Sequence, residues 1–169
     1  QPGLPYCGAL SSLRLLEFST RQNGDNPSIE KWATAENLGI LAFDCARVAN
    51  FMRNMGNDYD EAERLYREAL ALDPTDAFYT ANFALFMSDI RKDYDEAERL
   101  YRKAIELDPS NAAQSGNFAN FMRRARKDYE AAERLYRKAL KIDPNNASNI
   151  GNFASFLSDV RKNHDEAER

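Results

Sequence analysis

Residues 93–109 read DYDEAERLYRKAIELDP, and nearly the same letters occur 35 residues earlier and 35 residues later. Residues 58–74 read DYDEAERLYREALALDP, which differs at only three of 17 positions. Residues 128–144 read DYEAAERLYRKALKIDP, and a further copy begins as NHDEAER at residues 163–169. The chain therefore contains an internal repeat, and such a period is typical of stacked structural units.

A second motif recurs with the same period. It reads ARVANFM at residues 46–52, ANFALFM at 81–87, GNFANFM at 116–122 and GNFASFL at 151–157. Each repeat thus holds two apolar segments with a charged turn between them.

Both segments have the spacing of α-helices. In the copy at 93–109 the apolar residues recur at helical intervals on one face, as Ala97, Leu100, Tyr101, Ala104 and Ile105. Charged residues cover the other face, where Glu98 and Arg102 form a favourable pair one turn apart. Asp95 is predicted to cap the start of this helix, and Pro109 to end it. Neither helix buries its apolar face alone, so successive helix pairs must stack.

The second segment resembles the second helix of a tetratricopeptide repeat. The resemblance depends on four residues at a fixed spacing: a small residue, an aromatic residue, a second small residue and a proline. In successive copies these are Ala62, Tyr66, Ala69 and Pro74; Ala97, Tyr101, Ala104 and Pro109; and Ala132, Tyr136, Ala139 and Pro144. The Asn-Phe-Ala motif resembles the first helix, and the match covers residues 42–169. The resemblance implies an all-α fold, a right-handed α-α superhelix that is a solenoid of antiparallel helix pairs.

The period departs from the family by one residue, since the usual tetratricopeptide unit has about 34 residues. The spacings within each helix match the family. We therefore predict that the extra residue lies between the helices, near Ser88–Asp93 and Arg123–Asp128, where it lengthens the first helix or the turn.

The repeat defines the expected domain boundaries. Residues 42–76, 77–111 and 112–146 are predicted to form complete repeats, and residues 147–169 a truncated fourth one. Residues 1–27 are expected to be an irregular or short-helical leader. Residues 28–41 are predicted as an entry helix continuous with the first repeat, because one apolar stripe runs along Leu38, Leu41, Cys45, Val48 and Met52. The open side of the last unit predicts end-to-end self-association.

Composition argues against several classes of function. With 23 basic and 27 acidic residues, the net charge of −4 gives no general attraction for nucleic acid or for anionic membranes. No apolar run approaches the length of about 18 residues that a membrane span needs. The two cysteines, Cys7 and Cys45, make no disulfide framework, which favours the cytoplasm or another reducing compartment.

The sequence offers no catalytic or metal-binding pattern. The only histidine, His164, stands where the other copies have Tyr, and no second His or Cys lies at ligand spacing from it. No phosphate-binding loop and no pairing of a nucleophile with a base is visible. We therefore predict a protein that is not an enzyme and needs no metal and no cofactor.

The resemblance places partner contacts on the first helices, which line the concave surface in this family. The Asn of the Asn-Phe-Ala motif recurs as Asn82, Asn117 and Asn152, with Arg47 at the same place in the first repeat. The family uses such asparagines in a clamp for the C-terminal carboxylate of a chaperone tail, or in a ladder along the backbone of an extended peptide. The clamp also needs a lysine one turn earlier, where this chain has Phe43, Phe78, Ala113 and Ser148, so the sequence favours the ladder. Alternatively, these asparagines bond to neighbouring helix backbone and are purely structural.

Positions one and two turns further along the first helices also face the predicted groove, and they include Asn50, Arg53, Asn120, Arg123 and Arg124. The densest basic cluster comprises Arg123, Arg124, Arg126 and Lys127. This cluster either attracts an acidic segment of a partner or is a solvated turn.

Three functions follow from these observations. The first is a non-catalytic scaffold that binds a peptide or protein segment on its concave face. The second is a structural subunit packed permanently in a larger assembly, or a chain that self-associates through its open C-terminal end. The third is RNA binding, as in pentatricopeptide proteins, whose period is also about 35 residues. The second helices of that family end in Gly before Pro-Asp, whereas these end in LDPTDA, LDPSNA and IDPNNA.

Overall fold

The computed structural model describes the backbone of residues 35–56 and 58–167, and the side chains of residues 38–56 and 58–160. This part of the chain contains no strand, and its helices are α1 (Ala35–Met55), α2 (Tyr59–Leu72), α3 (Ala77–Phe86), α4 (Tyr94–Leu107), α5 (Ala112–Phe121), α6 (Tyr129–Ile142) and α7 (Ala147–Ala167). Two short π-helical segments, Met87–Arg91 and Met122–Arg126, continue α3 and α5. The predicted all-α fold of helical repeats is confirmed. The chain divides into two compact units within α3, of which the first ends at Phe83 and the second starts at Ala84.

Each second helix begins at an aspartate cap. The side chain of Asp93 accepts a hydrogen bond from the Glu96 amide over 3.1 Å, which satisfies an N–H group that the helix cannot pair internally. Asp95, the predicted cap, lies instead within the first turn of α4, where its charge favours the positive end of the helix dipole. The helix ends as predicted, because Asp108 has left the helical region at φ −136° immediately before Pro109.

The core is built from one aromatic contact that recurs between a second helix and the first helix that follows it. The rings of Tyr101 and Phe118 stack with centroids 5.4 Å apart. The equivalent distance is 5.5 Å for Tyr66 with Phe83 and 5.5 Å for Tyr136 with Phe153. Of the predicted face of α4, Ala97, Leu100, Tyr101 and Ala104 are buried, and Ile105 is half-buried.

The outer faces of the second helices carry ion pairs one turn apart. The predicted pair of Glu98 and Arg102 is confirmed at 2.6 Å, and Arg137 approaches Glu133 equally closely. These arginine side chains are 59% and 67% exposed, so each pair contributes at most about 0.5 kcal/mol. The outer face is therefore a solvated surface rather than a source of stability.

The π-helical segments account for the extra residue of the 35-residue period. The Asp93 amide donates to the Met87 carbonyl over 3.1 Å, and the Asp128 amide donates to the Met122 carbonyl over the same distance. A π turn holds one residue more than an α turn, so the inserted residue widens the end of the first helix. These segments lie where the insertion is predicted. Each segment ends at a lysine in the left-handed conformation, with φ 59° at both Lys92 and Lys127.

The first and last helices differ from the others. Helix α1 runs without a break through residues 41 and 42, and Gly56, at φ 70°, ends it in the left-handed conformation that glycine adopts without strain. The predicted start of this helix near residue 28 and the predicted leader lie outside the described residues.

The repeat predicts that a second helix starts at NHDEAER, after a turn, but α7 continues as a single helix to Ala167. In the second repeat, the buried Leu100 and Tyr101 hold the second helix against its neighbours. Phe156 of α7 is nonetheless buried, since its ring packs against Tyr136 with centroids 5.5 Å apart.

Burial changes the chemistry of Cys45, a fully buried residue of α1 that forms no disulfide. Burial raises the pKa of its thiol from 9.0 to about 12. The folded protein therefore keeps a proton that the unfolded chain releases above pH 9, so the free energy of unfolding falls as the pH rises through that range.

We expect a loss of stability between pH 9 and pH 10 with a slope of at most about 1.4 kcal/mol per pH unit. Urea unfolding in this range, with Cys7 replaced by Ser, measures the slope. A Cys45→Ala variant should lack the contribution of the thiol, and an equally steep slope in that variant would contradict the assignment.

Candidate functional site

Neighbouring first helices contact each other in the second unit. In the second unit, the Asn149 side chain of α7 donates a hydrogen bond from Nδ2 to the Ala112 carbonyl of α5 over 3.0 Å. In the first unit, burial raises the pKa of Tyr79 in α3, and nearby carboxylates that include Asp44 of α1 raise it further. The helices that carry the predicted groove residues of the second unit are therefore adjacent.

A glycine makes the approach of α7 to α5 possible. A Cβ atom added at Gly116 would lie 1.9 Å from Oδ1 of Asn149, which is far inside van der Waals contact. Asn149 is itself only 3% exposed, so it has little room to move away. In contrast, a Cβ atom added at Gly151, the equivalent residue of the next repeat, would meet nothing within 4 Å.

Asn82, Asn117 and Asn152, which we call the repeat asparagines, have side chains without a hydrogen-bond partner among the described residues. Asn117 is exposed, and Asn82 and Asn152 are half-buried. The Nδ2 atom of Asn82 is fully buried yet still unpaired. The alternative role, a bond to neighbouring helix backbone, belongs instead to Asn149.

Arg47 takes the place of the repeat asparagines in the first repeat and is exposed. Its guanidinium lies 5.4 Å from the centroid of the Phe43 ring, and its closest carboxylate oxygen, on Asp44, is 4.0 Å away. Both contacts are local to α1 and solvated, so they hold the side chain only weakly.

Asn50 and Asn120 have a structural partner that the sequence analysis missed. The Tyr66 hydroxyl donates to Oδ1 of Asn50 over 2.8 Å, and the Tyr136 hydroxyl donates to Oδ1 of Asn120 over 2.7 Å. These bonds orient both amides, whose Nδ2 groups have no partner in the described part of the chain. In the sequence, two copies of the repeat have an Asn and a Tyr 16 residues apart, which could have predicted these bonds. In the copy between them, Leu85 stands in place of the Asn.

The predicted arginines fall into different environments. Arg53 contacts the neighbouring Asn54 side chain at 3.2 Å, while its Nη1 atom is buried without a partner. Burial raises the pKa of Tyr66 to about 12, and the positive charge of Arg53 opposes that rise. Arg123 is only 12% exposed and binds Asp159 at 3.2 Å and Ser155 at 3.4 Å.

The basic cluster predicted from the sequence separates into two parts. Arg126 turns toward α4, where it contacts Asp95 and donates to Glu98 over 2.8 Å, so its charge is neutralised within the fold. The remaining cations line a cavity of about 350 Å³ beside α6 and α7. We call this cavity the basic cleft, and it is lined by Arg123, Arg124, Lys127, Tyr129, Phe156, Asp159 and Val160.

Metal binding and membrane insertion can also be judged for the described residues. No group of three His, Cys, Asp or Glu side chains among them is arranged to hold a metal ion. The side chain of His164 lies outside the described residues. In the same part of the chain, no helix is both long enough and apolar enough to cross a membrane.

Comparisons with known proteins agree with the repeat architecture. Models of the tetratricopeptide repeat match residues 45–78, 90–111 and 124–146. No curated protein matches the chain.

Solved structures show the same fold at low sequence identity. The tetratricopeptide domain of Sgt2 from Aspergillus fumigatus is 18% identical, with a TM-score of 0.67 over 76% of this chain and 84% of that one. The first such domain of human RPAP3 is 21% identical, with a TM-score of 0.64 over 73% and 95% of the two chains. The second domain of human RPAP3, solved with the HSP70 peptide SGPTIEEVD, is 22% identical, with a TM-score of 0.61 over 73% and 98%.

Proposed function

The chain belongs to the tetratricopeptide repeat family, and we propose that it is a protein–protein interaction scaffold whose first helices bind an extended segment of a partner protein. The observation that carries this proposal is the set of repeat asparagines, whose amides have no partner among the described residues. They recur at the same place in the repeat, 35 residues apart.

An asparagine suits the recognition of backbone. Its side chain offers a carbonyl acceptor and an amide donor, which match the donor and the acceptor of one peptide unit. The exposed amide of Asn117 is open to such a peptide unit, whereas Nδ2 of Asn82 is buried and meets one only if its side chain turns outward. Binding of this kind depends on the peptide backbone and only weakly on its side chains.

The proposed mode differs from recognition of a C-terminal carboxylate. A related fold in human RPAP3 holds an HSP70 peptide. In this chain, the residues one turn before the repeat asparagines and Arg47 include no lysine, and two of them are the exposed Phe43 and Phe78. These positions favour apolar side chains of the partner over its terminal carboxylate.

The test replaces all three repeat asparagines by Ala. Peptides are first selected on the wild-type protein from a phage-displayed random library, and their dissociation constants are then measured by fluorescence anisotropy. We expect the Asn82→Ala/Asn117→Ala/Asn152→Ala variant to bind about 100-fold more weakly, because each lost hydrogen bond is worth about 1 kcal/mol. Methylation of the peptide backbone nitrogens should weaken binding similarly.

The chain supplies a matched control on its second helices. Glu106 and Lys141 are exposed and 35 residues apart, and the first repeat already has Ala71 at their place. The Glu106→Ala/Lys141→Ala variant should keep wild-type affinity. The proposal fails if the triple variant, with unchanged helicity by circular dichroism, binds the selected peptides as tightly as the wild type.

A further inference from the structure

We propose that the basic cleft binds a carboxylate side chain within a partner's segment, next to an apolar side chain of that segment. This inference rests on the proposed function, since the segment is the one that crosses the first helices. It adds a preference for acidic sequence, which the repeat asparagines do not provide.

The repeat geometry creates the cleft. The π turn at Met122–Arg126 widens the end of the first helix, and the left-handed Lys127 then turns the chain into α6. Tyr129 at the start of α6 and Phe156 of α7 pack against each other in the lining of the cleft, with ring centroids 6.3 Å apart. Tyr129 is 41% exposed and Phe156 is 1% exposed, so the wall is apolar and only partly covered.

The cleft is electrostatically suited to an anion. It holds three cations, Arg123, Arg124 and Lys127, against the single carboxylate of Asp159. Among the described residues, Arg124 and Lys127 have no ion-pair partner. Arg123 binds Asp159 through Nη1 alone, so the remaining donors of its guanidinium fork are unused by that contact. An incoming carboxylate therefore finds donors that the fold has not engaged.

The second repeat has the same aromatic pair and the same left-handed lysine, but not the two arginines. Tyr94 and Phe121 form an equivalent wall, with ring centroids 6.2 Å apart, and Lys92 has the same left-handed conformation as Lys127. The positions of Arg123 and Arg124, however, are occupied by Ser88 and Asp89. The aromatic wall thus belongs to the repeat, whereas the two arginines belong to the third copy, and the acidic preference is assigned to that copy alone.

The basic cleft is continuous with the first-helix surface. Burial raises the pKa of the Tyr136 hydroxyl, and the positive charges of Arg123 and Arg124, which lie in the π-helical segment that continues α5, oppose that rise. The same hydroxyl orients the amide of Asn120, one turn before the arginines. A segment held along α5 therefore passes directly from an oriented amide to the cationic side chains.

The experiment is a titration of the ¹⁵N-labelled full chain, followed by NMR, with two probe peptides. One is acetyl-Gly-Glu-Glu-Phe-Glu-Gly-amide, and the other has Gln at each Glu. We expect the acidic peptide to bind about tenfold more tightly at low salt, and the difference to shrink as salt is added. Its chemical-shift changes should concentrate at residues 122–129 and 156–160.

Substitutions separate the basic cleft from the equivalent positions of the second repeat. Arg124→Gln with Lys127→Asn should abolish the preference for the acidic peptide, and Asn is chosen because it tolerates the left-handed conformation. Lys92→Asn makes the same change in the second repeat and should leave both affinities within about twofold of wild type, since that position lies outside the cleft. Equal binding of both peptides by the wild type, or a preference that survives the double variant, would overturn the proposal.

The outcomes also distinguish this inference from the proposed function. If the neutral peptide binds through the repeat asparagines and the acidic peptide binds no more tightly, the cleft is overturned and the groove stands. If the acidic peptide binds at residues 122–129 but no peptide responds to the triple asparagine variant, the cleft is supported and the asparagine ladder is overturned.

Discussion

A Gly116→Ala variant is expected to lose about 2 to 3 kcal/mol of stability, although alanine is the better helix former. The added methyl group would lie 1.9 Å from Oδ1 of Asn149, so either the helices separate or Asn149 turns away. Turning away breaks the bond from Asn149 to the Ala112 carbonyl and leaves buried polar groups unpaired. Urea unfolding followed by circular dichroism measures the change.

Two further variants make this prediction specific. Gly151→Ala places a methyl group where nothing lies within 4 Å, so it should stabilise the protein by about 0.5 to 1 kcal/mol. In an Asn149→Ala background the obstructing amide is absent, and the cost of Gly116→Ala should fall to about zero. Additive effects of the two substitutions would show that the contact between α5 and α7 is not the cause.

A Tyr101→Ala variant is expected to lose about 3 to 5 kcal/mol, the usual cost of emptying a large aromatic site in a core. Tyr101 is 2% exposed, and its ring packs against Phe118 at 5.4 Å and Phe121 at 5.3 Å between centroids. Because each repeat packs only on its neighbours, the loss should also broaden the unfolding transition. Thermal and urea unfolding by circular dichroism report both effects.

Tyr94 provides the comparison within the same helix. It is 36% exposed and packs edge-on against Phe121 at 6.2 Å, so its replacement by Ala should cost only about 1 kcal/mol. Comparable losses for the two tyrosines would mean that the repeated stack between second and first helices does not dominate the core.

Much of the fold can be predicted from the sequence because the same pattern of residues occurs in several copies. The buried face of α4, the pair of Glu98 and Arg102, and the position of the inserted residue all depend on spacing along the chain, which a sequence displays directly. The sequence predicts Asp95 as the cap of α4, but the cap is Asp93. Both are aspartates near the helix start, and only the backbone conformation distinguishes them.

The site was harder to predict because it depends on distances between helices. The sequence suggests one basic cluster, because Arg123, Arg124, Arg126 and Lys127 are close together in the chain. In the structure, Arg126 faces α4 and the others face the basic cleft. Asn50 and Asn120 were predicted as groove residues, while their bonds to tyrosines of the second helices are visible only in three dimensions. A π turn changes the direction in which the side chains at the end of a helix point. The spacing of residues along the chain alone therefore does not predict which side of the helix they occupy.

The recurrence of the π turn at one place has a consequence for how the gene varies. The segments Met87–Arg91 and Met122–Arg126 sit at the same point of units 35 residues long, and residues 58–67 and 93–102 are identical in sequence. Unequal recombination between such stretches removes or adds a whole unit, with its π turn, its left-handed lysine and both neighbouring packing surfaces intact. Length variants of this array that differ by multiples of one unit should therefore fold, whereas those that differ by any other number of residues break the register.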